Sequence, residues 1–183
     1  MLTITFKPFP EIQTQRLLLR EITVLDANEI FFLRSDKEVL KYIDKPPAKT
    51  LDDALEFILR INTLKENNQG INWAITIKGS DILIGNICLW NIKPEHHRAE
   101  VGYVLHPQHH GKGIMQEAIK AVLDYGFQTL QLHSIEANVN PANTSSIKLL
   151  VRNNFVREAY FRENYFFNNQ FLDTAIYSLL APL

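Results

Sequence analysis

Gln108-His109-His110-Gly111-Lys112-Gly113 decides how the rest of the chain is read. An apolar, strand-like run, Glu100-Val-Gly-Tyr-Val-Leu105, leads into it, and an amphipathic helix from about Gly113 to Leu130 leads out. Glycines without Cβ atoms let a loop close around a guest, and the first turn of a helix has backbone N–H groups without partners. The helix dipole adds partial positive charge there, so a phosphate group suits the position. The Walker-type loop, G-x-x-x-x-G-K-[ST], is absent. The dinucleotide fingerprint fails too, because its third glycine position holds Gln116. Six positions leave two readings standing: a phosphate cradle, or a strand-to-helix turn that uses glycine only to bend.

The chain has 183 residues, 46% of them hydrophobic and 21% charged, which fits one globular domain spanning 1–183. Its formal net charge of -1 supplies no long-range attraction for nucleic acid or an anionic membrane, so neither is an expected partner. The single cysteine, Cys88, sits in an apolar run and reads as a small buried hydrophobe, not a nucleophile. The first residues lack the basic-then-apolar pattern of a secretory leader, and no apolar stretch approaches membrane-spanning length. The expected compartment is the cytoplasm.

Taken in order, Gln15–Ile22 reads as a first strand. Thr23 with Asp26 and Thr50 with Asp53 are capping-box pairs. Helical spacing follows at Ala27–Arg34 and, more strongly, at Leu51–Lys65 through Leu51, Ala54, Leu55, Ile58, Ile61 and Leu64. A shorter helical piece is expected at Lys37–Tyr42. Ile71–Lys78 and Ile82–Asn91 read as a hairpin, His97–Leu105 as the next strand and His133–Val139 as a further one. Asn143 caps a helix that ends near Asn153-Asn154. Phe155–Phe166 and Phe171–Leu180 form an aromatic hairpin around Asn168-Asn169, a candidate homodimer surface. This order predicts an α/β (α+β) fold: a mixed, mostly antiparallel sheet of about seven strands with helices on both faces. One crossover, the helix between His97–Leu105 and His133–Val139, is expected to give parallel neighbours.

The whole chain resembles the RimJ/RimL-like branch of the GNAT N-acetyltransferases. The loop matches that family's Q-x-x-G-x-G pyrophosphate pattern. Further carriers are Thr14-Gln-Arg-Leu-Leu-Leu-Arg20 with Asp26-Ala27, Ser35-Asp-Lys-Glu-Val39, Ile84-Gly-Asn86, Glu100-Val-Gly-Tyr103, Glu117-Ala118, Tyr125-Gly-Phe127, Asn138-Val-Asn140 and Asn143-Thr-Ser-Ser146. The resemblance implies acetyl-CoA as cosubstrate and a sheet splayed between the fourth and fifth strands, with the pantetheine arm in the gap. It implies backbone contacts to that arm from Tyr103, Val104 and Leu105. The pyrophosphate would lie on Gln108, His109, His110, Gly111, Lys112 and Gly113, and Asn138, Asn143 and Ser146 would lie near the coenzyme. The implied acceptor is a primary amine: a protein N-terminal α-amino group, with a small amine such as a polyamine or aminoglycoside as the alternative. A non-catalytic acyl-CoA-binding module would keep the same loop.

Acyl transfer to an amine needs a group that takes a proton, donors for the developing oxyanion, and modest help for the departing thiolate. Glu100, at the start of the strand that would present the acetyl group, is the candidate base; the competing reading is a strand-edge carboxylate paired with Arg98. Ser146 is the candidate donor to the leaving sulfur, or else a first-turn serine bonded to backbone. Many members of the resembled family use a tyrosine where this chain has Leu150, which removes the common acid. Tyr103 reads as channel wall, and Arg16 and Arg20 read as structural, with Arg20 able to reach an acceptor's carboxylate. His106, His109 and His110, with His96 and His97 upstream, lack a completing cysteine or carboxylate, so no metal is expected.

Overall fold

The computed structural model describes residues 2–182. Met1 and Leu183, the ends of the expected single domain, lie outside the described residues. The elements are β1 (Ile12–Gln13), β2 (Leu17–Glu21), α1 (Ala27–Ser35), α2 (Leu51–Glu66), β3 (Ile71–Ile77), β4 (Gly85–Lys93), β5 (Arg98–Leu105), α3 (Ile114–Asp124), β6 (Ser134–Val139), α4 (Thr144–Arg152), β7 (Val156–Phe167) and β8 (Gln170–Leu180). They form one 8-stranded sheet in the order β1-β2-β3-β4-β5-β6-β8-β7. Every pairing is antiparallel except β5 with β6. The strand beyond the expected seven is β1, whose two residues are too few to carry an alternation signal.

Local chemistry sets the element ends. Thr23 and Thr50 each complete a capping box, with Asp26 and Asp53 returning the bond. The expected Lys37–Tyr42 helix is a single 3-10 turn, Val39–Tyr42, ahead of the helix-breaking Pro46-Pro47. Ile82 and Leu83 stay outside the ladder; β4 begins at Gly85, with the backbone of Ile84 just before it already bonded to Ile75 and His106. The α3 pattern runs on as a π-helical turn, Tyr125–Thr129. Asn154 takes φ 64° after α4, and Asn168 and Asn169 take φ 53° and 61°. A pair of left-handed central residues makes the tight turn that matches strand twist.

The helices pack on both faces. On one face, α3 and α4 cover a core that includes Trp73, Ile75, Leu89, Val101 and Ile135, with Ala118, Ile119 and Leu150 facing it. On the other, α1 and α2 bury Ile30, Leu33, Ala54 and Ile58 against Ala74 and Leu83. Each such large side chain, once buried, contributes about 1.5–3 kcal/mol. Arg20 is fixed below α1, donating Nη1 and Nη2 to the buried Asp26 carboxylate at 2.9 and 2.7 Å. Nη1 and Nη2 also donate to the carbonyls of Glu21 and Asp81 at 2.8 and 2.6 Å, so Arg20 braces the fold. Among the described residues, no helix is long and apolar enough to cross a membrane.

What positions a site is the end of the β5–β6 pairing. The register runs Arg98↔Ser134, Ala99↔Ile135, Glu100↔Glu136 and then stops, although both strands continue. Beyond Glu100 the sheet opens into a gap.

Candidate functional site

The backbone on the β5 side of that gap is exposed in a definite phase. His106 N donates to Ile84 O at 2.8 Å, so His106 and Ile84 form a hydrogen-bonded pair of the β4–β5 ladder. Antiparallel pairs alternate. Gly102 and Val104 therefore bond β4, while the backbone groups of Val101, Tyr103 and Leu105 point into the gap. Of the three residues expected to touch the pantetheine arm, Tyr103 and Leu105 offer backbone, and Val104 turns its own toward β4. The Val104 side chain packs on the α1–α2 cluster. His110 Nε2 donates to the Leu105 carbonyl at 3.0 Å, fastening the loop to the strand end.

The loop itself is a short turn, Pro107–His109, followed by Gly111 and Gly113, both at φ 72°. That left-handed region favours glycine. A Cβ built on Gly111 would meet nothing within 4 Å, so the loop turns an open face outward there. Among the described residues, no acceptor takes the amides of Gly111, Lys112 or Gly113. Gly113 is the N-cap of α3, and the first-turn amides behind it are also without intrahelical acceptors. This set fits a pyrophosphate, which would be held by the amides from Gly111 into the first turn of α3, with Lys112 adding charge. Gln108 points its N–H at His106 Nδ1, 3.2 Å away, so that amide is already used.

The loop is braced from two directions. Glu117 accepts from Thr14 Oγ1 at 2.6 Å and from the Arg16 backbone and Nε at 2.7 and 2.6 Å, while Arg16 Nη1 donates to the Lys112 carbonyl at 3.0 Å. Gln116 and Asn153 exchange amide bonds of 2.8 and 3.2 Å, tying α3 to α4. The histidines disperse. His106 stacks on Phe32 at 4.3 Å, and His109 meets His106 edge-on at 6.0 Å.

Across the gap, Asn143 caps α4 by accepting from Ser146 N at 3.1 Å, and the Ser146 hydroxyl lies 2.7 Å from the Tyr103 hydroxyl. Burial pushes the Tyr103 phenol up to about 12, so it stays protonated. Tyr103 is thus the hydroxyl partner of Ser146 beside the gap. Its contact with Ser146 joins residues far apart in sequence, and spacing alone carries no sign of it.

Glu100 projects from the opposite face of β5, where Val104 also faces, and is 8% exposed. Burial raises its pKa most, Asn138 lowers it, Glu136 raises it, and Asn91 and Lys45 lower it. The expected competitor for Glu100, Arg98, bonds Glu136 instead through Nε at 3.0 Å. The Asn138 side chain stands beside Glu100 on this face. Asn91 arrives by a bulge: Trp90↔Glu100 and Lys93↔Arg98 leave an extra residue in β4, and Asn91 adopts φ 48°. Nearby, Lys45 Nζ lies 5.7 Å over the Trp90 ring. Asp44, its pKa raised by burial, accepts from the Tyr165 hydroxyl and ties the α1–α2 connection to β7. Lys45 and Asp44 lie within the Phe31–Leu64 stretch of helices and Tyr165 within the Phe161–Phe171 hairpin, the segments the sequence marks for acceptor specificity, while no local pattern marks Asn91. Cys88, its thiol pushed up to about 12 by burial, is no nucleophile.

Residues 16–156 match the acetyltransferase (GNAT) domain family. The chain is 38% identical over 167 residues to an uncharacterized N-acetyltransferase, p20, of Bacillus licheniformis, covering 91% of this chain and 94% of the relative. The crystal structure of spermidine N-acetyltransferase from Vibrio cholerae, in complex with CoA and spermine, superposes with a TM-score of 0.81 at 27% identity, covering 92% of this chain and 97% of that one. Ribosomal-protein-S5-alanine acetyltransferase from Vibrio fischeri superposes with a TM-score of 0.81 at 25% identity, covering 94% and 97%.

Proposed function

We propose that this chain, which belongs to the GNAT acetyltransferases and is an acetyl-CoA-dependent N-acetyltransferase, modifies the α-amino group at a protein N-terminus. The observation that carries the reading is the charge around Glu100. Lys45 brings a cation to its side, Glu136 is spent on Arg98, and Asp44 on Tyr165. A site balanced in this way suits an acceptor with one amine better than a polycation. Neutralising an α-amino group at pH 7 costs about 1 kcal/mol, against about 4–5 kcal/mol for a lysine-like amine. One buried carboxylate is matched to the smaller task.

Acetyl-CoA supplies a thioester carbonyl open to attack. In our reading Glu100 receives the amine proton, directly or through one water, and its raised pKa brings it nearer the operating range. The gap-facing backbone of β5 orients the pantetheine arm and offers N–H donors to the oxygen that gains charge. Ser146 donates to the departing sulfur from the far side, with Tyr103 holding its hydroxyl in place. The base and the donor thus approach the reacting carbon from opposite faces of the sheet, through the gap where pairing stops.

A polyamine acceptor is the second reading. It is favoured by Asp44, a further carboxylate on the acceptor side, and by the likeness to a spermidine N-acetyltransferase. The test is acetyl transfer to peptides with free N-termini but no lysine, run beside spermidine, with kcat/KM followed from pH 6 to 9. Peptide acceptors at least about tenfold better would support the proposal. Spermidine as the better acceptor would replace it.

A further inference from the structure

Glu100 and Glu136 are the last pair of the parallel β5–β6 ladder. Paired residues of neighbouring strands share a face, with their backbones about 4.8 Å apart. Two carboxylates therefore stand side by side where the sheet opens. Left alone, such a pair ionises with difficulty, because each charge raises the cost of the other. Arg98 lies two residues before Glu100 on β5, hence on the same face, and it turns to Glu136. It donates Nε to Glu136 Oε2 at 3.0 Å and Nη2 to the same oxygen. Among the described residues, this is its ion pair.

The other groups around the two carboxylates leave this task to Arg98. On β4, Trp90 is paired with Glu100, and the Cys88 thiol, pushed up to about 12 by burial, carries no charge. Asn91 and Asn138 are neutral amides, and Ser178 of β8, paired with Glu136, is a neutral hydroxyl. From the α1–α2 connection, Lys45 brings a cation toward Glu100, while Asp44 is bonded to Tyr165 of β7. On the side away from the gap, Arg98 and Glu136 line a cavity of ≈ 510 Å³ with Lys93, His96, His133 and Glu158. Glu100 is not part of that lining, so these charges face the ion pair. Burial raises the Glu100 pKa most, and Glu136 is the charge that raises it further.

We propose that Arg98 is a positioning residue that acts through Glu136: it neutralises that carboxylate, and so keeps Glu100 ionised when an amine arrives at the gap. Arg98 touches neither substrate nor Glu100. Without it, the unpaired Glu136 charge would push the proton onto Glu100, and a protonated carboxyl cannot receive another from the amine. Without Glu136, Glu100 would lose its like-charged neighbour and gain an unpaired cation nearby, so it would ionise at lower pH. The consequence for catalysis rests on Glu100 as the base of the proposed reaction; the charge coupling itself rests on the register and the ion pair.

Carbon-13 labelling of the glutamate carboxyl groups allows Glu100 to be titrated directly by NMR, with Glu100→Gln identifying its signal. Beside it, kcat at saturating acceptor and acetyl-CoA is followed across pH, where the acidic limb reports the base in the bound complex. In Arg98→Gln, Glu100 should titrate about one pH unit higher than in wild type, a tenfold change in its protonation equilibrium, and the acidic limb should rise with it. In Glu136→Gln both should fall. Arg98→Lys, which keeps the charge and loses the fork, should stay close to wild type. A pair that only holds the fold together would lower the thermal midpoint in both single variants and leave the Glu100 titration in place. That result, or a shift of the same sign in Arg98→Gln and Glu136→Gln, overturns the proposal. If Arg98→Gln does not fold, Glu136→Gln decides alone, and an unmoved Glu100 overturns it. Carboxyl shifts as expected with an unmoved acidic limb would uphold the control by Arg98 and overturn instead the reading of Glu100 as base.

Discussion

The two faces of β5 are made of different material. The face under α3 and α4 offers mainly backbone: the gap-directed groups of Tyr103 and Leu105, the partnerless amides of Gly111 to Gly113, and the first turn of α3. The face under α1 and α2 offers side chains: Glu100 among Asn91, Asn138 and Lys45, with Asp44 and Tyr165 closing one side. A backbone cradle grips a ligand part that never changes. A side-chain pocket can be rebuilt for another acceptor without disturbing the cradle. The comparison predicts that substitutions on one face change turnover and those on the other change coenzyme affinity.

The largest separation is expected for Glu100→Gln. Losing a positioned base costs about 10²–10⁴ in kcat, while calorimetric affinity for acetyl-CoA should stay within about twofold, since the carboxylate lies on the other face. The same variant has a stability signature. The folded-state pKa of Glu100 is raised, chiefly by burial, so its contribution to stability is fully present below the unfolded carboxylate value and is lost as pH rises through the folded one. Glu100→Gln should therefore gain thermal midpoint relative to wild type at pH 8 and lose that advantage near pH 4. Unchanged turnover would remove Glu100 from the chemistry and leave the two faces without their contrast.

The same contrast decides what the sequence could reveal. The cradle is legible because its parts are consecutive: glycines one residue apart, a strand before them and an amphipathic helix after. The capping pairs Thr23–Asp26 and Thr50–Asp53, the turn at Asn168-Asn169 and the parallel crossover were legible for the same reason. Glu100 could be picked out only because it stands on the strand that enters the loop. Asn91 reaches it through a bulge, and Lys45 and Tyr165 reach the acceptor side from elements far apart in the chain. Such contacts are made by packing and have no period. The direction in which Val104 turns its backbone is hidden for a related reason: strand phase decides it, and here it is fixed by one bond, His106 N to Ile84 O.

A smaller effect, confined to the cradle, is expected for Gly111→Trp. The open space at this position lets the variant fold, with φ 72° costing about 1–2 kcal/mol for a residue that has a Cβ. The indole would stand where the phosphates approach the amides. Losing charge-assisted bonds there should weaken acetyl-CoA by about a hundredfold in calorimetry. Turnover at saturating coenzyme should remain near that of wild type. A variant that binds normally and turns over slowly would mean that the loop aligns the thioester, and the division between the faces would fail at its clearest point.

The smallest effect belongs to the one hydroxyl pair that spans the gap. The departing thiolate, with a pKa of about 8.5 by analogy with cysteine, needs little assistance. Ser146→Ala should lower kcat by only about tenfold, less than the roughly 10²–10⁴ that a positioned proton donor typically supplies. Tyr103→Phe should cost less, because Tyr103 lies 2.7 Å from the Ser146 hydroxyl and, in this reading, acts through it. If the two form one device, the double variant turns over like Ser146→Ala alone, since a positioning group has nothing left to position. Additive losses would mean that each hydroxyl reaches the substrate independently. Tyr103 would then have to be counted a catalytic residue in its own right, and the coenzyme face would carry chemistry in its side chains as well as binding in its backbone.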